Sequence, residues 1–415
     1  MKAPRGRILA ILPDHPYPVD MGSRVRNLRI LESLAGAFDL TILTLVHDRD
    51  RLRDPGPVAR LGRWVGLLAP HRLGRLPWLA WHTRAQWERL SHGLHVETVF
   101  QSFPSLAREA AALIEETKPD LVHVAYWYTL RHLRPFHRPP VWVVDTHDVQ
   151  FERHERLLHR RSAREKSLEL AELARYDHIV AITERDRATF TRSLPPGAPA
   201  VEAIGMGLDL ERWNPRATGP ALPEARRIGF YGNLATASNQ AALLHLLDDL
   251  LPALRATWPD LQLLVLGAGA PTQVRRRAEA AGAVVPGYVD DVRPWLRACS
   301  VIALTLRTGS GQRGRVVEAL SLGVPVVGYA GALEGLELEE GDGIRSATDP
   351  GRLRSLLQEV LAAPEAGRDL GERGRRQVER RYGFESTYAL FPERYRAWIG
   401  TGTTNPGDLR GHPGV

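Results

Sequence analysis

Short apolar runs alternate along this chain with longer stretches in which apolar residues recur every three or four positions. Runs of four to eight β-branched or leucine-rich residues predict strands. The three-to-four spacing predicts amphipathic helices. In the first half strands are expected at 7–12, 40–46, 121–125, 141–145, 178–183 and 201–204, with helices near 23–37, 106–117 and 163–175. In the second half strands are expected at 227–231, 261–266, 284–289, 301–306, 324–328 and 343–347. Helical runs there cover 239–256, 273–281, 292–298, 316–322 and 351–361. Continuous apolar strands alternating with helices predict α/β parallel sheets covered on both faces.

Between the halves, residues 209–224 hold three prolines and no periodicity. The expected organisation is a Rossmann-like domain over 1–210, a linker at 211–224 and a second Rossmann-like domain over 225–385. A helix over 386–400 carries Tyr388, Phe391, Tyr395 and Trp398, a stripe suited to packing back on the first domain. Residues 401–415, rich in Gly, Pro and Thr, read as a disordered tail. Doubly wound sheets bind ligands at the carboxyl ends of their strands, so two such domains facing across a cleft would enclose a ligand site.

At 415 residues the chain exceeds one ordinary core, which agrees with two domains. Its formal net charge is +7. That excess reads either as attraction to polyanions or an anionic membrane surface, or as an arginine-rich composition without a partner. No basic tail is interleaved with aromatics, so a nucleic-acid partner is disfavoured. The one cysteine, Cys299, excludes an internal disulfide and reads as a buried inert thiol. The first apolar run, Ile8–Leu12, stops at Pro13 after five residues, too short for a signal peptide, and no run reaches membrane-span length. The expected compartment is the cytoplasm.

Segment 67–87 fits the alternation poorly. It mixes Trp78, Trp81 and Trp87 with His71, Arg72, Arg75, His82 and Arg84. It reads either as an amphipathic lip making peripheral contact with a membrane or a lipid-linked acceptor, or as a packed excursion with snorkelling arginines.

The strongest candidate chemistry lies in residues 305–330. An expected strand runs into the turn Gly309-Ser310-Gly311. Arg313 and Arg315 follow, then Glu318 on a helix ended by Gly323. Glycine amides and a helix N-terminus suit an anion, two guanidiniums fork onto phosphate oxygens, and a carboxylate accepts from ribose hydroxyls. The set points to a nucleoside diphosphate. Gly22 and Ser23 open the first helix, where their amides could hold a phosphate or an acceptor, or where Ser23 could simply be the N-cap. Arg24 and Arg26 sit unfavourably in that helix's first turns, a hint of a bound anion. His147 ends the strand at 141–145, and His154 is a second choice. Asp48-Arg49-Asp50 resembles a metal-holding triplet but lies in a polar run, so no metal site is assigned. There is no G-x-G-x-x-G after the first strand and no Walker sequence.

Six motifs in order resemble the GT-B glycosyltransferases, and within them glycosyltransferase family 4, over roughly residues 7–400. They are Pro16-Tyr17-Pro18 with Gly22-Ser23; Asp177 to Glu184; Gly205 to Asp209; Gly229 to Leu234 with Asn239; Gly287 to Asp291; and the stretch at 305–330. The resemblance implies a retaining transfer of a sugar from a UDP-sugar or GDP-sugar co-substrate, UDP preferred, with no other cofactor and an unknown acceptor. The acceptor would be a glycan, a lipid-linked molecule or a small molecule, as in cell-surface polysaccharide, glycolipid or natural-product glycosylation. It implies donor contacts from Gly22, Ser23, Gly232, Asn233, Asn239, Val289, Asp290, Gly309, Ser310, Gly311 and Glu318. The catalytic assignments are His147, near the transferred sugar, with Arg313 and Arg315. Many family members carry a glutamate where this chain has Ser310, and basic residues where it has Asn233 and Asn239. Two alternatives stay open: a catalytically silent binding partner, and an epimerase of the same fold.

Overall fold

The computed structural model describes residues 6–19, 21–92, 94–133, 136, 140–158, 163–217, 226–307 and 314–401. They form two compact units. One comprises Met1–Gly205 with Tyr388–Val415, the other Met206–Thr387.

The first unit is built on seven parallel strands: β1 (Arg7–Leu12), β2 (Asp39–Val46), β3 (Arg63–Leu68), β4 (Leu121–Ala125), β5 (Val141–Asp145), β6 (His178–Ala181) and β7 (Val201–Ala203). Their order is β3-β2-β1-β4-β5-β6-β7. Central β1 pairs Ile8 with both Leu40 and Leu121. Strands β4 and β5 are buried at every position, which is why they read as unbroken apolar runs. The chain leaves β1 toward one edge and returns to β4 on its other side, so the topological switch lies between these two strands.

Helix Leu390–Thr401 packs beside helix Gly22–Ala35 in this unit. Tyr388, Phe391, Tyr395 and Trp398 join Leu28, Ile30 and Leu31 in one core. Burying each aromatic contributes roughly 2 kcal/mol before the cost of ordering the segment.

The second unit has six parallel strands: β8 (Arg227–Tyr231), β9 (Gln262–Leu266), β10 (Val284–Gly287), β11 (Val301–Leu304), β12 (Val326–Tyr329) and β13 (Ile344–Ala347). Their order is β10-β9-β8-β11-β12-β13, with the switch between β8 and β11. Both units are therefore doubly wound α/β sheets.

The structure departs from the sequence expectations where tertiary context overrides local pattern. Strand β3, in the stretch that resisted assignment, pairs only with β2 and is nowhere fully buried. Its Gly66 makes room for the Trp64 ring, which a Cβ would approach to 2.5 Å. The strand expected at 178–183 stops at Ala181, because Thr183 caps helix Glu184–Ser193 by accepting from the Asp186 amide at 3.0 Å. The helix expected at 239–256 is broken by a π-helical turn at Leu246–Leu250, beside Pro252. Helices Gln150–Leu158 and Pro364–Arg381 were not anticipated. Cys299 is buried, and burial pushes its thiol up to about 12, as an inert thiol requires.

Candidate functional site

In the second unit the switch point gathers Tyr231, Gly232, Asn233, Asn239, Arg315 and Glu318. Tyr231 is the last residue of β8, and helix Gly314–Ser321 follows β11. The helix brings Arg315 and Glu318, one turn apart, against the end of β8. The Tyr231 phenol hydrogen-bonds the Glu318 carboxylate. Burial pushes Glu318 above the usual carboxylate range, while the Tyr231 bond and the charges of Arg315 and Arg212 pull it back. Burial also pushes the Tyr231 phenol far up, so it stays a donor.

Arg315 donates from Nη1 to the Tyr231 carbonyl at 3.1 Å and to Asn239 Oδ1 at 3.0 Å. Its Nε and Nη2 have no partner among the described residues. Asn239 is buried, and its Nδ2 donates to the Asn233 carbonyl at 2.6 Å. Asn233 Oδ1 in turn accepts from the Ala235 amide at 2.9 Å. The two asparagines thus brace the β8 turn and hold Arg315 against it. At Gly232 a Cβ would meet Arg315 Nη1 at 2.5 Å, so a larger residue there would displace the guanidinium from this position. Gly309, Ser310, Gly311 and Arg313 lie outside the described residues. Val289 and Asp290 fall just beyond the end of β10, with Val289 partly buried and Asp290 exposed. Neighbouring Asp291 accepts from the Arg293 amide at 3.0 Å and from its guanidinium at 2.7 and 2.8 Å.

In the first unit the switch point carries His147, Asn27, Asp145, Arg26, Tyr126 and Ser23. Asp145 ends β5 and is completely buried. Arg26 grips it with two bonds, Nε to Oδ2 at 2.8 Å and Nη2 to Oδ1 at 2.7 Å. Burial alone would raise the Asp145 carboxyl, but the Arg26 and His147 contacts hold it far below the usual range. His147 adopts a left-handed backbone, φ 58°, rare for a residue with a Cβ. Its ring stacks on Tyr126, centroids 4.2 Å apart. His147 Nε2 lies 3.1 Å from Asn27 Oδ1 and 3.2 Å from Asp145 Oδ2. Two acceptors on one nitrogen assign the proton to Nε2, leaving Nδ1 as an acceptor with no partner among the described residues.

Two expectations are corrected here. Arg24 and Arg26 do not await an anion: Arg24 donates to Asp14 at 2.5 and 2.8 Å, and Arg26 is spent on Asp145. Ser23 is not the N-cap. Met21 occupies that position without a side-chain bond, while the Ser23 hydroxyl bonds Tyr126. Gly22 is exposed at the start of the helix. His154 is buried in an unrelated cluster, 3.2 Å from Glu165 and stacked on His95. Asp48 caps a short helix through the Asp50 amide at 3.0 Å. Among the described residues no three His, Cys, Asp or Glu side chains gather as metal ligands. Tyr231, Tyr126, Asn27 and the Arg26–Asp145 pair were not assigned roles from sequence. The signal for Tyr231 was its place as last residue of a strand at the switch point.

Residues 225–362, within the second unit, match the family of glycosyl transferases group 1. No curated protein matches the chain. Among solved structures, sucrose-phosphate synthase from Thermosynechococcus elongatus superposes with a TM-score of 0.72 at 18% identity, over 96% of this chain and all of that one. The Anabaena protein HepE, solved with UDP, gives 0.64 at 13% identity, over 95% and 100%. A glycosyltransferase from Rickettsia africae gives 0.63 at 11% identity, over 95% and 99%. The fold is the GT-B fold.

Proposed function

We propose that this protein is a glycosyltransferase that takes its sugar from a nucleoside diphosphate, with UDP preferred over GDP. The observation that carries the reading is the buried Glu318 carboxylate held by Tyr231 beside Arg315 at the switch point of the family-matched unit. A carboxylate oriented there accepts from vicinal ribose hydroxyls. The Nε and Nη2 donors of Arg315, which have no partner among the described residues, suit a diphosphate oxygen. HepE, a neighbour in fold, binds UDP, which favours uridine.

The chemistry follows from those groups. The bond from the anomeric carbon to the β-phosphate oxygen breaks, and its electron pair stays on the phosphate. Arg315 and nearby backbone amides stabilise that developing charge. Removal of one such donor costs on the order of 10²–10³ in rate. The acceptor oxygen bonds the anomeric carbon and passes its proton to the departing phosphate. Attack on the same face retains configuration and needs neither an enzyme nucleophile nor a metal. His147, with its proton on Nε2, offers Nδ1, without a partner among the described residues, as an acceptor for a hydroxyl at the switch point of its own unit.

The test is Glu318→Ala with UDP and GDP binding followed by calorimetry. Loss of affinity of about tenfold or more supports the ribose assignment, since hydrogen bonds to charged groups contribute roughly 1.5–3 kcal/mol. Unchanged affinity for both nucleotides removes it. The serine at position 310, where many members of the family this chain resembles carry a glutamate, favours one second reading, a silent binding partner. That reading requires that no UDP be released from any UDP-sugar with any acceptor pool. An epimerase would instead release UDP without an acceptor.

A further inference from the structure

Helix Arg75–His92 is turned the wrong way round for a surface helix. At 100° per residue, Leu76, Leu79, Thr83, Trp87 and Leu90 fall on one stripe. That stripe faces outward: Leu76 is 80% exposed, Leu79 50%, Trp87 63% and Leu90 79%. Leu73 and Trp78 extend the apolar surface. The opposite face packs inward through Trp81, which stacks on Phe103 at 5.5 Å, and through buried Ala85 and Glu88. Glu88 is the one carboxylate between residues 70 and 92, and it is consumed by Arg84 and Arg131. The exposed charged side chains of residues 72–92 are therefore all basic, Arg72, Arg75, Arg84 and Arg89, of which Arg84 is paired with Glu88. Trp87 also lines a cavity of about 730 Å³ with Leu94 and Leu168, where Arg131 and Arg164 stand beside Glu88 and Glu172, so apolar surface continues inward from the helix.

A soluble domain does not ordinarily leave four large apolar side chains in register on an exposed face. The unbalanced positive rim selects among occupants. A second copy of this chain would bring the same arginines against themselves, whereas an anionic lipid surface complements them. No helix among the described residues is long and apolar enough to cross a membrane. We propose that helix Arg75–His92 lies in the interface of an anionic bilayer, with Leu76, Leu79, Trp87 and Leu90 in the acyl boundary and the arginines among the headgroups. This inference does not rest on the catalytic reading, and its assay measures no transfer.

The experiment is co-sedimentation of the full chain with phosphatidylglycerol–phosphatidylcholine vesicles and with phosphatidylcholine vesicles. Binding is expected only to the anionic vesicles and should weaken with salt. Brominated acyl chains should quench part of the tryptophan emission. Arg75→Gln with Arg89→Gln should weaken binding on the order of thirtyfold. Leu76→Ser with Leu79→Ser and Leu90→Ser should weaken it roughly a hundredfold. All five positions are exposed, so circular dichroism should show both variants folded. Equal binding by all three proteins overturns the proposal, as does equal binding to both vesicle types. So does a concentration-dependent dimer that the leucine variant dissolves in a protein that binds no vesicle.

Discussion

Replacing Asp145 with Asn leaves the shape of the first unit's centre almost unchanged and removes one charge. Both Arg26 and Asp145 have side chains with no solvent exposure. The guanidinium is held by the two carboxylate bonds, by a bond from Nη1 to the Gly205 carbonyl at 3.0 Å and by the Phe391 ring, 5.6 Å from its centroid. An asparagine offers one acceptor where two guanidinium donors and His147 Nε2 all point, and its amide nitrogen must face a donor. The arginine charge is left buried without a counter-ion, a situation that costs about 3–5 kcal/mol. The assay is urea unfolding followed by fluorescence at neutral pH. With two units, two transitions are expected, and only one should shift. Arg26→Met combined with Asp145→Leu should cost less than the sum of the two single changes, because both desolvated charges leave together. The carboxyl is depressed in the fold, so its stabilisation is present above the unfolded carboxylate value and lost as pH falls through the folded one. Wild type should therefore lose stability in acid by a component the Asn variant lacks. A cost for Asp145→Asn below about 1 kcal/mol, or strict additivity in the double variant, would refute this reasoning.

Tyr231→Phe should weaken UDP binding several-fold by calorimetry. In the wild type that bond holds Glu318 down, so its loss raises Glu318 and the acidic limb of UDP affinity should also move to higher pH, a displacement that a merely structural change would not produce. Gly267→Ala places a Cβ 1.8 Å from the Gly232 carbonyl oxygen at φ +149°, and thermal unfolding should reveal a loss of more than about 2 kcal/mol. Burial lowers His123 to about 4, where it bonds the Tyr395 hydroxyl at 2.7 Å. The unfolded chain takes up that proton near pH 6.5 and the folded chain does not, so stability should fall as pH drops from about 6.5 to 4. His123→Gln should flatten that slope in urea titrations across the window, and an unchanged slope would remove His123 as its source.

The alternation of apolar runs and amphipathic stretches was enough to establish two parallel α/β sheets and to place most strands within two residues. Buried strands such as β4 and β5 carry the signal in every position. The places of His147 just beyond β5 and of Glu318 on the helix after β11 were also legible, because a strand, a turn and a helix follow one another plainly in the sequence. The edge strand β3 was not assigned, since its apolar run, interrupted by Gly66, lies in a stretch whose neighbours break the strand–helix alternation. Nor was the π-helical turn at Leu246–Leu250, which breaks no composition rule.

What only tertiary structure decided is the state of the charged and polar residues. In sequence Arg26 stands misplaced at a helix start, and its partner Asp145 lies 119 residues away. Asn239 looks like a substitute for a cation until its buried amide is seen bridging Asn233 to Arg315. Helix Arg75–His92 has ordinary amphipathic spacing, and only packing revealed that its leucines face outward. Hydrophobic periodicity is local and survives in one dimension. Charge pairing and the choice of buried face depend on neighbours distant in the chain, so they exist only once the sheets have formed.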